Sequence, residues 1–403
     1  MIPSTIDTVI IGAGPAGLAC ALQCQKNDRR FLLVEKSNRV GGRVGSIQED
    51  GFIFDLGFQV YNTAYEITNS LMDMDNIRLN HFRPGAMVHD GNSFQIISDP
   101  FRDVSQVFKT LFSNIMTMND KVKVLKLKNS LNGYRIDRDN EAEMNTYEFL
   151  LDQGFSDRMI EMFFRPFFSG IFLETKLETS SRFFKYVFSM FSIGLASLPE
   201  RGMQAIPDDM LSRIDQGSVV LGRKVVKLDK DRNIMFDDGG SVLAENIILT
   251  GDSSCLMTNS SYEYNMVKTL YFSSRIEPAK GDYIHLFPCD DLINNIAVPT
   301  SISSSYTRNS DHLISVTILD NALPEVDLIK EVQNRLMNYY GGGRGDLEFL
   351  KYLEIKKGTL SQLVGQFNRP RSVQDNIFIA GEQDTNGSIE GAVLSGLNVA
   401  NLI

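Results

Sequence analysis

Uninterrupted hydrophobic runs alternate along this chain with stretches whose apolar positions recur every three or four residues. Residues 6–11 (Ile-Asp-Thr-Val-Ile-Ile) form a short, nearly continuous apolar run, the pattern of a strand buried on both faces of a parallel sheet. Helical spacing carries Leu18, Ala19, Ala21 and Leu22 to about residue 25. Asn27-Asp28-Arg29-Arg30 is a polar turn, and Phe31-Leu32-Leu33-Val34 reads as a second buried strand that stops at Glu35. A β-α-β unit therefore opens the chain.

The same reading predicts a strand near 51–55 and a helix over 64–75. It predicts a hairpin from 86–89 and 93–97 around Asp90-Gly91-Asn92, and mainly helix over 101–192. The β pattern returns at 219–221, 225–229, 233–236 and 247–249. Strands and loops mix over 265–320, and a helix over 327–339 ends at Gly341-Gly342-Gly343. A last buried strand, 376–380, and a last helix, 389–402, close the chain. The order predicts an α/β fold in which both ends of the chain join one sheet and the middle is inserted as a second domain.

Composition narrows the function. With 50 acidic against 40 basic residues in 403, the chain lacks the basic footprint of a nucleic-acid binder. Cys20, Cys24, Cys255 and Cys289 show no CxxC pair and no metal-ligand spacing, and are read as reduced, mostly buried thiols. The four histidines, His81, His89, His285 and His312, pair with no nucleophile and read as structural. No basic-then-apolar leader is visible at the N-terminus and no window is long and apolar enough for a membrane span, so the expectation is a cytoplasmic protein, metal-free.

Three motifs carry the candidate chemistry. Gly12-Ala13-Gly14-Pro15-Ala16-Gly17 sits between the first strand and its helix, the context a dinucleotide fingerprint requires. There Gly12 permits the tight turn, Gly14 lets backbone approach a diphosphate, and Gly17 lets the helix pack close on the strand. The helix N-terminus then offers amide N–H groups to the phosphates. Glu35, followed by Lys36, closes the second strand as the expected acceptor for ribose hydroxyls, and its charge disfavours a 2′-phosphate there. In the second motif, Gly41 and Gly42 bring amides near an anion and Arg43 adds a phosphate contact. The third follows the last strand: Gly381-Glu382, then Ser388, Ile389 and Ala392 at the start of the last helix.

In this order the motifs resemble the FAD-dependent amine oxidase superfamily, and within it the phytoene dehydrogenase-like and protoporphyrinogen oxidase-like oxidoreductases. Asp55-Leu56-Gly57-Phe58-Gln59-Val60, Ser180-Ser181-Arg182-Phe183 and Gly202-Met203 carry the finer likeness. The resemblance implies a Rossmann-type, glutathione-reductase-like FAD-binding domain with an inserted mixed α+β substrate domain. The FAD part is placed at 1–60, 203–260 and 370–403, and the substrate part at 61–202 and 261–369. It implies FAD, and hydride transfer from substrate to flavin N5. By the same resemblance Phe58, Gln59 and Val60 lie beside the flavin ring and the last helix points at it. Val226 meets the adenine through its backbone, and Thr250 and Gly251 pass near the ADP moiety.

Departures from the family pattern shape the activity. Ser388 stands where amine oxidases place an aromatic residue, and the chain has no Trp. Lys268 is the candidate for a lysine that holds a water at flavin N5. With no cysteine near the expected attachment site, the FAD is expected to be non-covalent. Eleven of the 26 phenylalanines fall between 149 and 191. They are a helical core, the lining of an apolar substrate cavity, or, with Lys176, Arg182 and Lys185, a face at a membrane interface, a peripheral contact that would extend the localisation. The expected activity is oxidation, by desaturation, of a hydrophobic small molecule. An amine oxidase releasing hydrogen peroxide and a non-catalytic FAD-binding protein are the alternatives. The electron acceptor, oxygen or another oxidant, and the oligomer are left open.

Overall fold

The computed structural model describes residues 3–98, 115–229, 231–256, 262–320, 322–367, 372–374 and 376–403; of 372–374 only the backbone is described. Residues 99–114, the start of the stretch predicted as mainly helical, lie outside them.

One sheet is built from the two ends of the chain and a central piece. Val219–Val220, Phe31–Val34, Thr5–Ile11 and Ser241–Thr250 run side by side and parallel, in that order. Ile377–Ala380 extends the parallel set along the second half of Ser241–Thr250. Asn233–Phe236 and then Val225–Leu228 add antiparallel strands along its first half. Apolar side chains on both faces force this burial: Val9, Ile10, Leu33, Ile247, Ile248 and Leu249 are all fully enclosed. The register pairs Ile11 with both Val34 and Leu249, and Leu249 with Ile379. Four carboxyl ends therefore finish at one edge, where parallel sheets bind ligands.

The first helix, Pro15–Lys26, and the last, Ile389–Ala400, pack together on one face of this sheet. The contact is at backbone distance. A Cβ on Gly396 would stand 2.2 Å from the Ala16 carbonyl oxygen, and Cys20 Sγ donates to the Gly396 carbonyl at 3.1 Å.

A second sheet of seven strands runs in the order Leu347–Leu360, Tyr264–Ser274, His312–Ile318, Asn295–Ala297, Ile284–Leu286, Gly85–His89, Phe94–Ser98. On one face Leu270, Phe272, Ile296 and Val316 pack against Leu328, Val332 and Leu336 of the helix Glu325–Tyr340. Alternation turns Tyr271, Leu286 and Ala297 to the other face, where they meet a core built largely from the phenylalanine-rich helices Arg165–Phe172 and Ser181–Ile193.

Three expectations change here. The helix expected over 64–75 is two short ones, Glu66–Ser70 and Met74–Ile77, because the Asp73 carboxylate accepts from the Asp75 and Asn76 amides and starts a new helix. The thiols are not mostly buried: Cys20 and Cys24 are, while Cys255 and Cys289 are exposed. The cations of the phenylalanine-rich stretch do not form a membrane-facing set. Lys185 is buried against Asp139 at 2.5 Å and Glu141 at 2.8 Å, Arg182 pairs with Glu143, and only Lys176 is exposed. Among the described residues no helix is long and apolar enough to cross a membrane.

Candidate active site

The edge where the parallel strands end opens into a cavity of about 880 Å³ that continues between the two sheets to the phenylalanine-rich helices. The first motif forms one wall. Gly12 adopts φ +102°, a left-handed conformation that favours glycine, and its amide donates to the Val34 carbonyl at 2.8 Å. Thr250 Oγ1 donates within 2.9 Å of the Ile11 carbonyl and 3.1 Å of the Gly12 carbonyl, which ties the first strand's end to the Ser241–Thr250 strand. Gly14 caps the first helix in extended backbone, with no side chain bonded to the first-turn amides. A Cβ built on Gly14 meets nothing within 4 Å, because it points into the cavity. On Gly17 it would stand 1.9 Å from the Gly12 carbonyl oxygen.

Glu35 is buried on the wall and held by three donors. The Ala13 amide reaches Oε2 at 2.8 Å, and the Ser37 amide and hydroxyl reach Oε1 at 2.9 Å. A carboxylate has about four acceptor positions, so the clamp fixes its direction and leaves capacity toward the cavity. The Gly41–Gly42 turn is shaped by Arg39, whose guanidinium donates to the Gly42 carbonyl at 2.6 Å and the Val40 carbonyl at 3.1 Å. Arg43 lies over the Tyr264 ring and pairs with Glu382 at 2.7 Å, joining the second motif to the third.

At the other side of the cavity stand Phe58, Gln59 and Val60, and facing them Ser388, Ile389 and Ala392. Gln59 Nε2 donates to the Arg43 and Leu56 carbonyls, which leaves its Oε1 buried with no partner. Ser388 caps the last helix by accepting from the Gly391 amide at 2.9 Å and donates to Asn386 Oδ1 at 2.6 Å. Tyr65 and Tyr186 also reach this wall, with the Tyr186 hydroxyl 3.4 Å from Ser388 Oγ. Burial, reinforced by nearby negative or phenolic groups, pushes both phenols above their ordinary range.

Most expected residues thus converge. Gly12, Gly14, Pro15, Ala16, Glu35, Lys36, Gly42, Arg43, Phe58, Gln59, Val60, Thr250, Gly251, Gly381, Glu382, Ser388, Ile389 and Ala392 all line the one cavity. Ala13, Gly17 and Gly41 stand behind the wall and shape it instead. One expectation is corrected. Strand alternation points Val267 and Thr269 toward Gly57, so Lys268 is on the opposite face and off the cavity wall. Val226, expected to meet the adenine through its backbone, sits at an irregularity between Val225 and Lys227 with its side chain outward, 48% exposed, while its neighbour Val225 lines the cavity. One cysteine, Cys255, reaches the wall, on the turn after Thr250 and beside the Val225–Leu228 strand rather than near Phe58. Tyr65, Tyr186 and Val225 escaped the sequence reading because nothing local marks them; only packing brings them here.

The residues present fit a flavin dinucleotide on three observations: the Gly14 cradle that a side chain would fill, the Glu35 carboxylate aimed by its clamp, and the orphaned Gln59 Oε1 on the far wall.

Behind Phe58, Asp55 joins the site to the core. Its Oδ1 accepts from Ser46 Oγ at 2.5 Å and the Met203 amide at 2.9 Å, and its Oδ2 accepts from the Tyr306 hydroxyl at 2.7 Å. Burial pushes this carboxyl up to about 6, against the pull of those three donors. The native protein therefore holds the Asp55 proton more tightly than the unfolded chain. That stabilisation is complete below about pH 4 and is lost as pH rises through about 6, an effect of up to about 3 kcal/mol. Asp55→Asn is neutral throughout, so denaturant unfolding should show it gaining on the wild type between about pH 4 and about pH 7. A stability difference that stays flat over this range would contradict the shift.

Comparison with known proteins agrees with this geometry. Residues 15–281 match the model of the family described as flavin containing amine oxidoreductase. The chain is 32% identical over 97 residues to the 1-hydroxycarotenoid 3,4-desaturase of Flavobacterium sp. (strain P99-3), a match covering 23% of this chain and only 20% of that relative. An oxidoreductase structure from Methanosarcina mazei superposes with a TM-score of 0.75 at 18% identity, over 98% of this chain and 100% of that one. A putative protoporphyrinogen oxidase structure from Exiguobacterium sp. 255-15 gives 0.72 at 16% identity, over 100% and 99%. At these identities the superpositions show the shared fold. Because the family match spans well over half of the chain and its motifs meet in one cavity, the protein belongs to the flavin-containing amine oxidoreductase family.

Proposed function

We propose that the chain binds FAD non-covalently and oxidises an apolar small molecule by desaturation. The observation that carries this is the continuity of the cavity. One space runs from the Gly14 cradle, past Phe58–Val60, into a bay lined by Phe167, Ile171, Phe183, Val187 and Phe191. When bound, FAD supplies the two-electron acceptor for a hydride leaving the substrate carbon; a proton lost from the neighbouring carbon to water completes the new double bond.

The chain's own residues do the positioning. The first-turn amides at Gly14 meet the diphosphate and Glu35 accepts from ribose hydroxyls. Phe58–Val60 and the start of the last helix flank the redox ring. The phenylalanines line the bay and hold the substrate by apolar contact, in keeping with the desaturase named above. On this reading 1–60, 203–260 and 370–403 hold the cofactor, and 61–202 with 261–369 hold the substrate. Lys268 has no part in the step.

Anaerobic mixing of the FAD-loaded protein with a panel of isoprenoids and other apolar compounds tests the proposal. The expected result is bleaching of the visible flavin band by an apolar compound, with a product two hydrogens lighter by mass spectrometry. Bleaching only by amines, with hydrogen peroxide formed in air, would replace the proposal with the amine-oxidase reading.

A further inference from the structure

The floor of the bay is the seven-stranded sheet, and it is not wholly apolar. Asn295 and Thr317 sit opposite each other on neighbouring strands, 3% and 1% exposed, and both line the cavity. Around them the wall is Val267, Ile284, Leu286 and Ile171. Two buried polar side chains in such surroundings are costly unless their hydrogen-bonding capacity is met.

The direction of their hydrogen bonds can be fixed. Asn294 Nδ2 lies 3.0 Å from the Pro166 carbonyl, which only accepts, so this atom is the amide nitrogen. The same nitrogen donates to Asn295 Oδ1 at 2.8 Å. The other atom of the Asn295 amide is therefore its nitrogen, and it donates to Thr317 Oγ1 at 3.1 Å. Donors point one way along the whole chain, and each bond polarises the next. The chain ends on the Thr317 hydroxyl, whose hydrogen has no acceptor among the described residues. Thr269, paired with Thr317 on the adjoining strand, does not take it, since Thr269 Oγ1 is buried with no partner.

We infer that Thr317 is a specificity-determining donor, and that the bay takes an apolar molecule carrying an oxygen, as hydroxyl or carbonyl, which accepts from the Thr317 hydroxyl. A pure hydrocarbon leaves a polarised donor buried and unmet; an oxygenated one completes the chain. This deepens the reading of the cavity as a substrate site and rests on it.

Equilibrium dialysis of the FAD-loaded protein against farnesol and against its hydrocarbon farnesene reads binding without requiring turnover. Thr317→Val removes the hydroxyl at nearly constant shape, and Thr317→Ser keeps it. The expected result is that Thr317→Val weakens farnesol binding about threefold to tenfold and leaves farnesene binding unchanged, while Thr317→Ser behaves as wild type toward both. Equal loss for both probes, no loss for either, or a wild type that binds neither would overturn the inference. If flavin bleaching fails while the Thr317-dependent preference for the alcohol holds, the redox reading falls and the donor assignment stands.

Discussion

Gly14→Val should yield a folded protein that purifies without flavin. The native backbone at this position, φ −74° and ψ 179°, is open to any residue, and an added Cβ touches nothing within 4 Å. The cost to the fold is therefore the loss of a tolerated N-cap, about 1 kcal/mol or less. The cost to the cofactor is of another order. The branched side chain projects into the cavity space that the proposed reading assigns to the diphosphate, so on that reading it blocks close approach and the helix N-terminus loses its anion. Visible absorbance against protein absorbance should fall from about one flavin per chain to near zero, with added FAD giving no recovery, while the far-ultraviolet circular dichroism is unchanged. A variant that keeps stoichiometric flavin would move the cofactor away from the first helix.

This expectation was legible in the sequence because buried parallel strands are nearly pure apolar runs. The ends of 6–11, 31–34, 247–249 and 376–380 can be read directly, and each carries its motif at the carboxyl end. Joining them into one sheet edge needed only the rule for where such sheets bind ligands. Lys268 failed for the opposite reason. Its strand is buried on both faces over Leu270, Tyr271 and Phe272, so no alternation of polar and apolar residues sets the phase, and a lysine can be assigned to either side. The strand Leu347–Leu360 was not anticipated at all. Glu348, Lys351, Glu354, Lys356 and Lys357 interrupt it, and it tolerates them as an edge strand, partnered along Tyr264–Ser274 alone. The meeting of Tyr65, Tyr186 and Ser388 is a product of helix packing over 121 and 202 residues of separation, and no local pattern encodes it.

Three residues further along the same motif the physics reverses, and Gly17→Ala should damage the fold before it touches the cofactor. Gly17 does not line the cavity; it is the point where the first helix crosses the first strand's end. The added methyl would stand 1.9 Å from the Gly12 carbonyl oxygen and 3.0 Å from its carbon, and both are backbone atoms with no rotamer to change. Nor can Gly12 retreat readily. Its amide is bonded to Val34, its carbonyl accepts from Thr250, and a Cβ built on Gly12 itself would stand 2.4 Å from Thr250 Oγ1, so the space beside it is already filled. Relief requires moving the helix, which is itself in backbone contact with the last helix through Ala16 and Gly396. The strain is shared by the two ends of the chain, so the expected loss is about 3 kcal/mol or more, at the upper end of what overpacking costs. Urea unfolding of the flavin-free proteins should place the Gly17→Ala midpoint far below that of Gly14→Val, although alanine is the smaller addition. If instead Gly17→Ala matched the wild type in stability, the close crossing of helix and strand on which the cradle is built would not exist.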